Sequence, residues 1–288
     1  MNNYTPGLSI IIPTLNCRHI LGECLSSVYS QDYPKERVEI LIADGGSRDG
    51  TIELIKEFAN GNPAIRLLDN SRLKTGEAGK AIAAGEAKNQ ILAFIDSDNI
   101  LTGRDWFLWM VEPFQDAEIA VAEPIEYTYR REDGYITRYC ALMGMNDPLC
   151  FFIGNYDRYN YITGRWTSLP HKEEDKGNYV KAELYKDYLP TIGANGFLIR
   201  KEVLDRFDTG DYLFDIDIIY LLSEKTGCVK IAKVKTGIVH IFAGGVLNFM
   251  RKQKRRITDY GYYKKRNLRK YRWGRIGVLG VLKFIIYN

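Results

Sequence analysis

The chain has 288 residues, 45% hydrophobic and 26% charged, which suits a folded soluble domain with one large core or two modest ones. Its five cysteines are odd in number, widely spaced and without a CxxC pair; this argues against a zinc ribbon or a disulfide scaffold and for a reducing compartment. The formal charge of +4 conceals a split. From Arg251 to Asn288 thirteen Lys or Arg face one acid, Asp259, a net of +12, so the preceding residues carry −8.

The N-terminus shows no basic region followed by an apolar signal segment. Leu8 to Ile12 is a dense β-branched run closed by Pro13, and Ile20, Leu21, Leu25, Val28 and Tyr29 follow at helical spacing. Val38 to Ala43 reads as a second strand, Thr51 to Phe58 as a helix, Ile65 to Leu68 as a strand and Glu77 to Lys88 as an Ala-rich helix. The apolar run Ile91 to Ile95 completes a βαβαβαβ rhythm. Short continuous apolar strands alternating with amphipathic helices predict an α/β fold with a mostly parallel central sheet flanked by helices. From Glu123 to Leu189 the periodicity dissolves into a Tyr-, Arg-, Asp- and Asn-rich stretch, as in Gly154-Asn-Tyr-Asp-Arg-Tyr-Asn-Tyr-Ile162, which reads as a functional loop region walling an acceptor groove. Order resumes at Gly193-Ala-Asn-Gly-Phe-Leu-Ile-Arg200, with helices around Lys201 to Phe207 and Ile216 to Lys225. A β-like stretch from Val229 to Val239 leads to His240.

The last segment is basic and aromatic, with Tyr260, Tyr262, Tyr263, Tyr271 and Trp273, and closes on the apolar run Ile276 to Ile286, interrupted by Lys283. That run is too short to span a bilayer, which needs about 20 residues. Basic, aromatic and apolar residues together suit an anionic membrane surface. The run argues against nucleic acid, whose basic arms need no apolar end. The expected organisation is a domain over 1–245, with a donor half to about residue 120 and an acceptor half to 245, followed by a basic amphipathic extension over 246–288. The extension would hold the protein at the cytoplasmic face of the cell membrane, peripherally or as the start of a transmembrane region, and a homo-oligomer is compatible with the sequence.

Each early strand ends in polar residues: Thr14 and Asn16, Asp44, Asp69 and Asn70, then Asp96 and Asp98. Parallel strands open their carboxyl ends onto a ligand crevice, and the pair Asp96-Ser-Asp98 there suits a divalent ion held against a phosphate. No GxGxxG follows the first strand, and Gly76-Glu-Ala-Gly-Lys80 is not a phosphate loop of the Walker type. Lys80 still stands early in a helix, within reach of a phosphate.

Four segments in order, Ser9-Ile-Ile-Ile-Pro-Thr-Leu-Asn16, Leu25-Ser-Ser-Val-Tyr-Ser-Gln31, Ile40-Leu-Ile-Ala-Asp-Gly-Gly-Ser-Arg-Asp-Gly-Thr51 and Phe94-Ile-Asp-Ser-Asp-Asn99, give the chain its resemblance to the inverting glycosyltransferase family 2 and its GT-A nucleotide-sugar-binding fold. The likeness continues more weakly through Gly193 to His240. It implies that Asp44 contacts the nucleobase, that Pro13, Thr14, Leu15 and Asn16 line the same pocket, and that Asp49 sits at its rim. Asp96 is implied near the ribose, Ser97 in the same nucleotide-sugar pocket, and Asp98 on the metal, Mg or Mn, with His240 completing the metal shell. Phe214-Asp-Ile-Asp217 is similar to the family's second carboxylate motif, which makes Asp215 the general base and Asp217 its helper. Arg251, Gln253, Arg255 and Arg256 stand where some members close over donor and acceptor. Two departures stand out: Cys17 occupies a usual acidic position and Phe214 replaces the Glu before the base.

The implied reaction moves a sugar from a nucleoside-diphosphate sugar, UDP-linked, to a lipid-linked or polyprenyl-phosphate acceptor or a glycan, with inversion. It needs a cation for the leaving diphosphate and a carboxylate on the opposite side for the acceptor's proton. A nucleotidyltransferase is the enzymatic alternative, opposed by the absence of a Gly-rich basic triphosphate loop after Pro13. A catalytically weak binding protein of the same fold is the other, supported by Phe214 alone.

Overall fold

The computed structural model describes residues 4–271; Trp273 and the apolar run Ile276 to Ile286 lie outside them. Strands β1 (Leu8–Thr14), β2 (Val38–Asp44), β3 (Ile65–Asp69) and β4 (Ile91–Phe94) pair in parallel in the order β3-β2-β1-β4. Their crossovers are the helices α1 (Arg18–Tyr29), α2 (Thr51–Ala59) and α3 (Gly76–Glu86), as parallel pairing requires. Alternation along the strands divides the core between the two faces of the sheet. Ile10, Ile12, Ile40 and Ile42 pack with Leu21 and Leu25 of α1 and Ile55 of α2. Ile11, Leu41 and Ala43 pack on the other face with Ala83 and Ala84 of α3.

The chain continues through β5 (Asn99–Leu101), α4 (Trp106–Val111), β6 (Val121–Thr128), α5 (Tyr135–Met143), α6 (Pro148–Ile153), β7 (Lys172–Asp175) and β8 (Tyr179–Leu184). It then runs through β9 (Phe197–Arg200), α7 (Lys201–Leu204), α8 (Asp215–Thr226), β10 (Val229–His240) and α9 (Val246–Lys265). Among the described residues the sheet has ten strands in the order β3-β2-β1-β4-β9-β6-β10-β8-β7, with β5 on β10. It is mixed, which corrects the expectation of a mostly parallel sheet. β9 is antiparallel to both β4 and β6, and β8 and β5 are antiparallel to β10. The reason is where β9 enters: the 193–196 turn lies at the carboxyl end of β4, with the Gly196 N–H donating to the Phe94 carbonyl at 3.0 Å. A strand entering from that end must run backwards.

The expected loop region is also more ordered than its sequence suggests. Tyr156, Arg158 and Asn160 are fully buried and Asn155 and Asp157 nearly so, so this polar segment is an interior plug. Only its tip, Tyr161 and Ile162, is exposed. Among the described residues no helix is long and apolar enough to cross a membrane. All five cysteines are free, and four are buried.

Candidate active site

Register brings Thr14, Asp44 and Asp69 side by side at the carboxyl ends of β1, β2 and β3. The Asp44 carboxylate is occupied locally. One oxygen accepts the Gly46 and Ser47 N–H groups at 2.9 and 2.8 Å, and the other the Thr14 and Ser47 hydroxyls at 2.9 and 2.6 Å. Asn16 adopts a left-handed φ of 49°. Its Oδ1 accepts from Arg48 N and its N–H donates to Ser47 Oγ, zipping the 13–16 and 44–49 loops together. Asp49 accepts from Arg18 N and from Thr51 N and Oγ1, so it pins the starts of α1 and α2. Leu15, 43% exposed, offers an apolar surface beside Gly45, where a Cβ would come within 3.2 Å of its Cδ1. Cys17 is buried beside Ser97 and its N–H donates to Thr51 Oγ1 at 3.0 Å, so it joins this loop pair to the next motif. Burial raises its thiol, against the opposing pull of the Ser97 hydroxyl.

That motif is a closed turn. Asp96 N–H donates to Asn99 Oδ1 and Asn99 N–H to the Asp96 carbonyl, both at 2.9 Å. Pairing of β5 with β10 sets Asn99 opposite His240, which brings the imidazole to Asp98: His240 Nε2 is 3.4 Å from Asp98 Oδ1. The other oxygen of Asp98 takes the Lys252 ammonium of α9 at 3.1 Å. Burial pushes the Asp98 carboxyl up, but His240 and Lys252 outweigh it and hold the group well below the usual carboxylate range. Asp96, beside it, is raised by burial, against the opposing pull of Lys80.

Asp98 and His240 supply two metal donors, and no group of three His, Cys, Asp or Glu able to hold an ion stands among the described residues. His240 Nδ1 is buried without a partner. The donor set fits an ion whose remaining ligands are substrate oxygens, the usual arrangement for Mg at a phosphate, once Lys252 moves off Asp98.

Asp215 and Asp217 open α8, where the helix N-terminus favours acids. Asp215 is buried. Its Oδ2 accepts from Lys80 Nζ at 2.6 Å and from Ala194 N–H at 2.9 Å, while Oδ1 is buried with no partner. Gly193 is required here: a Cβ on it would lie 2.3 Å from the Asp215 Cβ. Gly193, Ala194, Asn195 and Gly196 all have positive φ, 123°, 56°, 48° and 88°; for the two non-glycines this costs of order 1–3 kcal/mol each. The turn also ties the two acidic motifs together, since Asn99 Nδ2 donates to Asn195 Oδ1 at 2.8 Å. Lys80 therefore reaches a carboxylate rather than solvent, and both Asp215 and Asp96 act on its charge.

Asp217 faces elsewhere. Its oxygens accept Lys270 N–H at 2.7 Å, Tyr271 N–H at 3.1 Å and Arg269 Nε at 3.3 Å, so it clasps the segment after α9. Phe214 serves the same contact, with the Arg269 guanidinium 4.3 Å from its ring centroid and the Tyr263 ring at 4.9 Å. α9 lies across the crevice on the face carrying Phe249, Lys252, Gln253, Arg256 and Tyr263. Gln253 Nε2 donates to the Asn146 carbonyl, Arg256 stacks on Phe242, and Tyr263 donates to Glu77. Arg251 and Arg255 point outward and are exposed. The contacts of Lys252, Asn99 and Asn195 escaped the sequence reading. For Asn99 and Asn195 the acid-x-acid-Asn run and the Gly-Ala-Asn-Gly run carried a usable signal; Lys252 sat unmarked in a basic stretch.

The family model described as Glycosyl transferase family 2 matches residues 9–207. Glycosyltransferase AglE of Haloferax volcanii is 29% identical over 146 residues, 50% of this chain and 48% of its own. A dolichyl N-acetyl-alpha-D-glucosaminyl phosphate 3-beta-D-2,3-diacetamido-2,3-dideoxy-beta-D-glucuronosyltransferase of Methanococcus voltae is 42% identical over 77 residues, 27% of this chain and 23% of its own. The chain thus spans less than half the length of either curated relative. The crystal structure of GalNAc-T7 with UDP, GalNAc and manganese superimposes with a TM-score of 0.55 at 14% identity, over 90% of this chain and 50% of that one, a likeness of fold.

Proposed function

The chain belongs to glycosyl transferase family 2, and on that premise we propose that it moves a sugar from a UDP-linked donor to a lipid-linked acceptor, with inversion and with a divalent cation. The observation that carries this is Asp215. One of its oxygens is fixed by Lys80 and the Ala194 N–H, and the other is buried and unpartnered, a carboxylate held still with one lone-pair face available. In an inverting displacement that oxygen takes the proton of the acceptor hydroxyl as the glycosidic bond to the diphosphate breaks. For a phosphate acceptor, already ionised, Asp215 orients the nucleophile instead.

Pro13, Thr14, Leu15 and Asn16, with the loop that Asp44 orders and Asp49 anchors, form the base pocket in this reading, and Asp96 and Ser97 the ribose side. Asp98 and His240 would hold the cation, which supplies charge neutralisation for the leaving diphosphate. Arg251, Gln253, Arg255 and Arg256 belong to the helix that covers the crevice. Asp217 acts through the segment it clasps.

The acceptor side rests on α9. Its outer face combines Leu247, Met250 and Ile257, 74%, 59% and 73% exposed, with Arg251, Lys254 and Arg255, an arrangement suited to an anionic bilayer surface. The names of the Methanococcus voltae relative and of an Escherichia coli glucosyltransferase acting on a diphosphoundecaprenol-linked sugar, 34% identical over 93 residues, are in keeping with a lipid-linked acceptor. The test is release of nucleoside diphosphate from a panel of UDP-, GDP- and dTDP-sugars with polyprenol-linked acceptors. Turnover should require Mg or Mn and should be lost in Asp98→Asn and Asp215→Asn. Absence of release from every donor sinks the proposal, and full activity in EDTA sinks its metal component.

A further inference from the structure

Behind the 193–196 turn lies a cluster of four charged side chains removed from solvent: Glu123, Arg158 and Lys233 at 0% exposure and Asp157 at 7%. Arg158 Nη1 pairs with Glu123 Oε2 at 3.0 Å and with the Asp157 carboxylate. Lys233 Nζ holds the other Glu123 oxygen at 2.5 Å and donates to the Asp157 carbonyl. The charges cancel, but a buried ion cluster at best breaks even against well-packed apolar side chains. Its contribution is therefore sought in what it holds.

It holds the turn. Arg158 Nη2 donates to the carbonyls of Ala194 at 3.3 Å and Asn195 at 3.4 Å, and Glu123 accepts from Gly193 N–H at 3.4 Å. Three consecutive residues in left-handed backbone are thus tied from beneath to a fixed charge array. On its other side the turn presents the Ala194 N–H to Asp215 and the Asn195 side chain to Asn99. Tyr127, its ring centroid 5.3 Å from the Arg158 guanidinium, completes the support through its hydroxyl, which accepts from Asn195 Nδ2 at 3.0 Å.

We propose that Arg158, braced by Glu123 and Lys233, is a positioning residue that fixes the 193–196 turn and through it the orientation of Asp215. The inference rests on the glycosyltransferase reading for its consequence in catalysis, and on geometry alone for the turn. Arg158→Lys keeps the charge but loses the second arm that reaches both carbonyls. Hydrogen exchange at the Ala194 and Asn195 amides should accelerate at least about tenfold, with β1 and β2 unchanged. Turnover should fall about 100-fold, as for a small displacement of a catalytic group, with the donor KM within about threefold. Adding Ala194→Gly, which removes the steric demand of left-handed backbone, should restore about tenfold of the turnover that Arg158→Lys loses.

Unchanged exchange at 194 and 195 overturns the inference. So does exchange accelerated across the whole sheet, or a double variant no better than Arg158→Lys alone. If Arg158→Lys does not fold, Glu123→Gln, which loosens the brace and keeps its shape, is held to the same exchange criterion. The exchange result stands even if the wild-type chain transfers no sugar, so a failure of the enzymatic reading is separable from a failure of this one.

Discussion

Replacing Lys80 by Met removes one member of an ion pair whose side chains are 8% and 9% exposed and whose atoms are 2.6 Å apart. The Asp215 carboxylate then keeps a single donor, the Ala194 N–H, in a place water barely reaches. Breaking a buried pair from one side costs about 3–5 kcal/mol. At about 2–4 °C per kcal/mol for domains of 150–250 residues, the melting temperature should fall by on the order of 10 °C. Burial pulls the Lys80 ammonium down, but Asp215 and Asp96 more than offset this and hold it above its ordinary value. Its contribution is therefore complete below about pH 10 and is lost only as pH rises through the folded value. The deficit, followed by circular dichroism at 222 nm, should be constant from about pH 6 to 9. The double variant Lys80→Met/Asp215→Asn, with no charge left to strand, should recover most of the loss. A single variant within about 1 kcal/mol of wild type, or a double variant no more stable than the single, would refute the reasoning.

Lys252→Met takes a competing cation off Asp98, so manganese binding in the presence of UDP, followed by electron paramagnetic resonance of free Mn, should tighten roughly tenfold, about 1.4 kcal/mol; an unchanged titration defeats the competition. Because Asp98 is held below the carboxylate range, its latch to His240 and Lys252 is intact above about pH 4 and fails as pH falls further. Acid unfolding of the wild type and Asp98→Asn should accordingly converge below that pH, and parallel curves throughout would contradict it. The outer face of α9 is tested by Leu247→Glu/Ile257→Glu, which should abolish salt-sensitive co-sedimentation with anionic liposomes while leaving donor hydrolysis near wild type; retained binding removes the membrane from the proposal.

The first 120 residues were legible because parallel strands buried on both faces write continuous apolar runs, and each ended within two residues of its expected boundary, as at Leu8–Thr14 and Ile91–Phe94. The acid-x-acid turn, the start of α8 near Asp215 and the strand leading to His240 were legible for similar local reasons. Direction was not: nothing in Phe-Leu-Ile-Arg distinguishes a strand running up from one running down, so the antiparallel β9 stayed hidden. Nor was the fate of polar residues. Arg158 and Lys80 carry the same local signature as a solvated charge, and only partners 30 or more residues away in sequence determine that they are interior. Lys252 on Asp98, with 154 residues between them, lies beyond any pattern of local spacing.

β9 also decides how this molecule moves. It is sewn by main-chain bonds to β4 on one side and to β6 on the other, so the parts of the described chain before and after residue 120 share a strand, and the sheet has no seam there along which to hinge. A cleft that cannot open by parting its walls admits substrate only past what lies over it, and here that cover is α9. The same suture denies the first 120 residues an independent life. Ended near residue 120, the chain would leave β4 with a bare row of amides and carbonyls, the kind of edge that recruits a second copy, and size-exclusion chromatography of that fragment should show association where the full chain shows less.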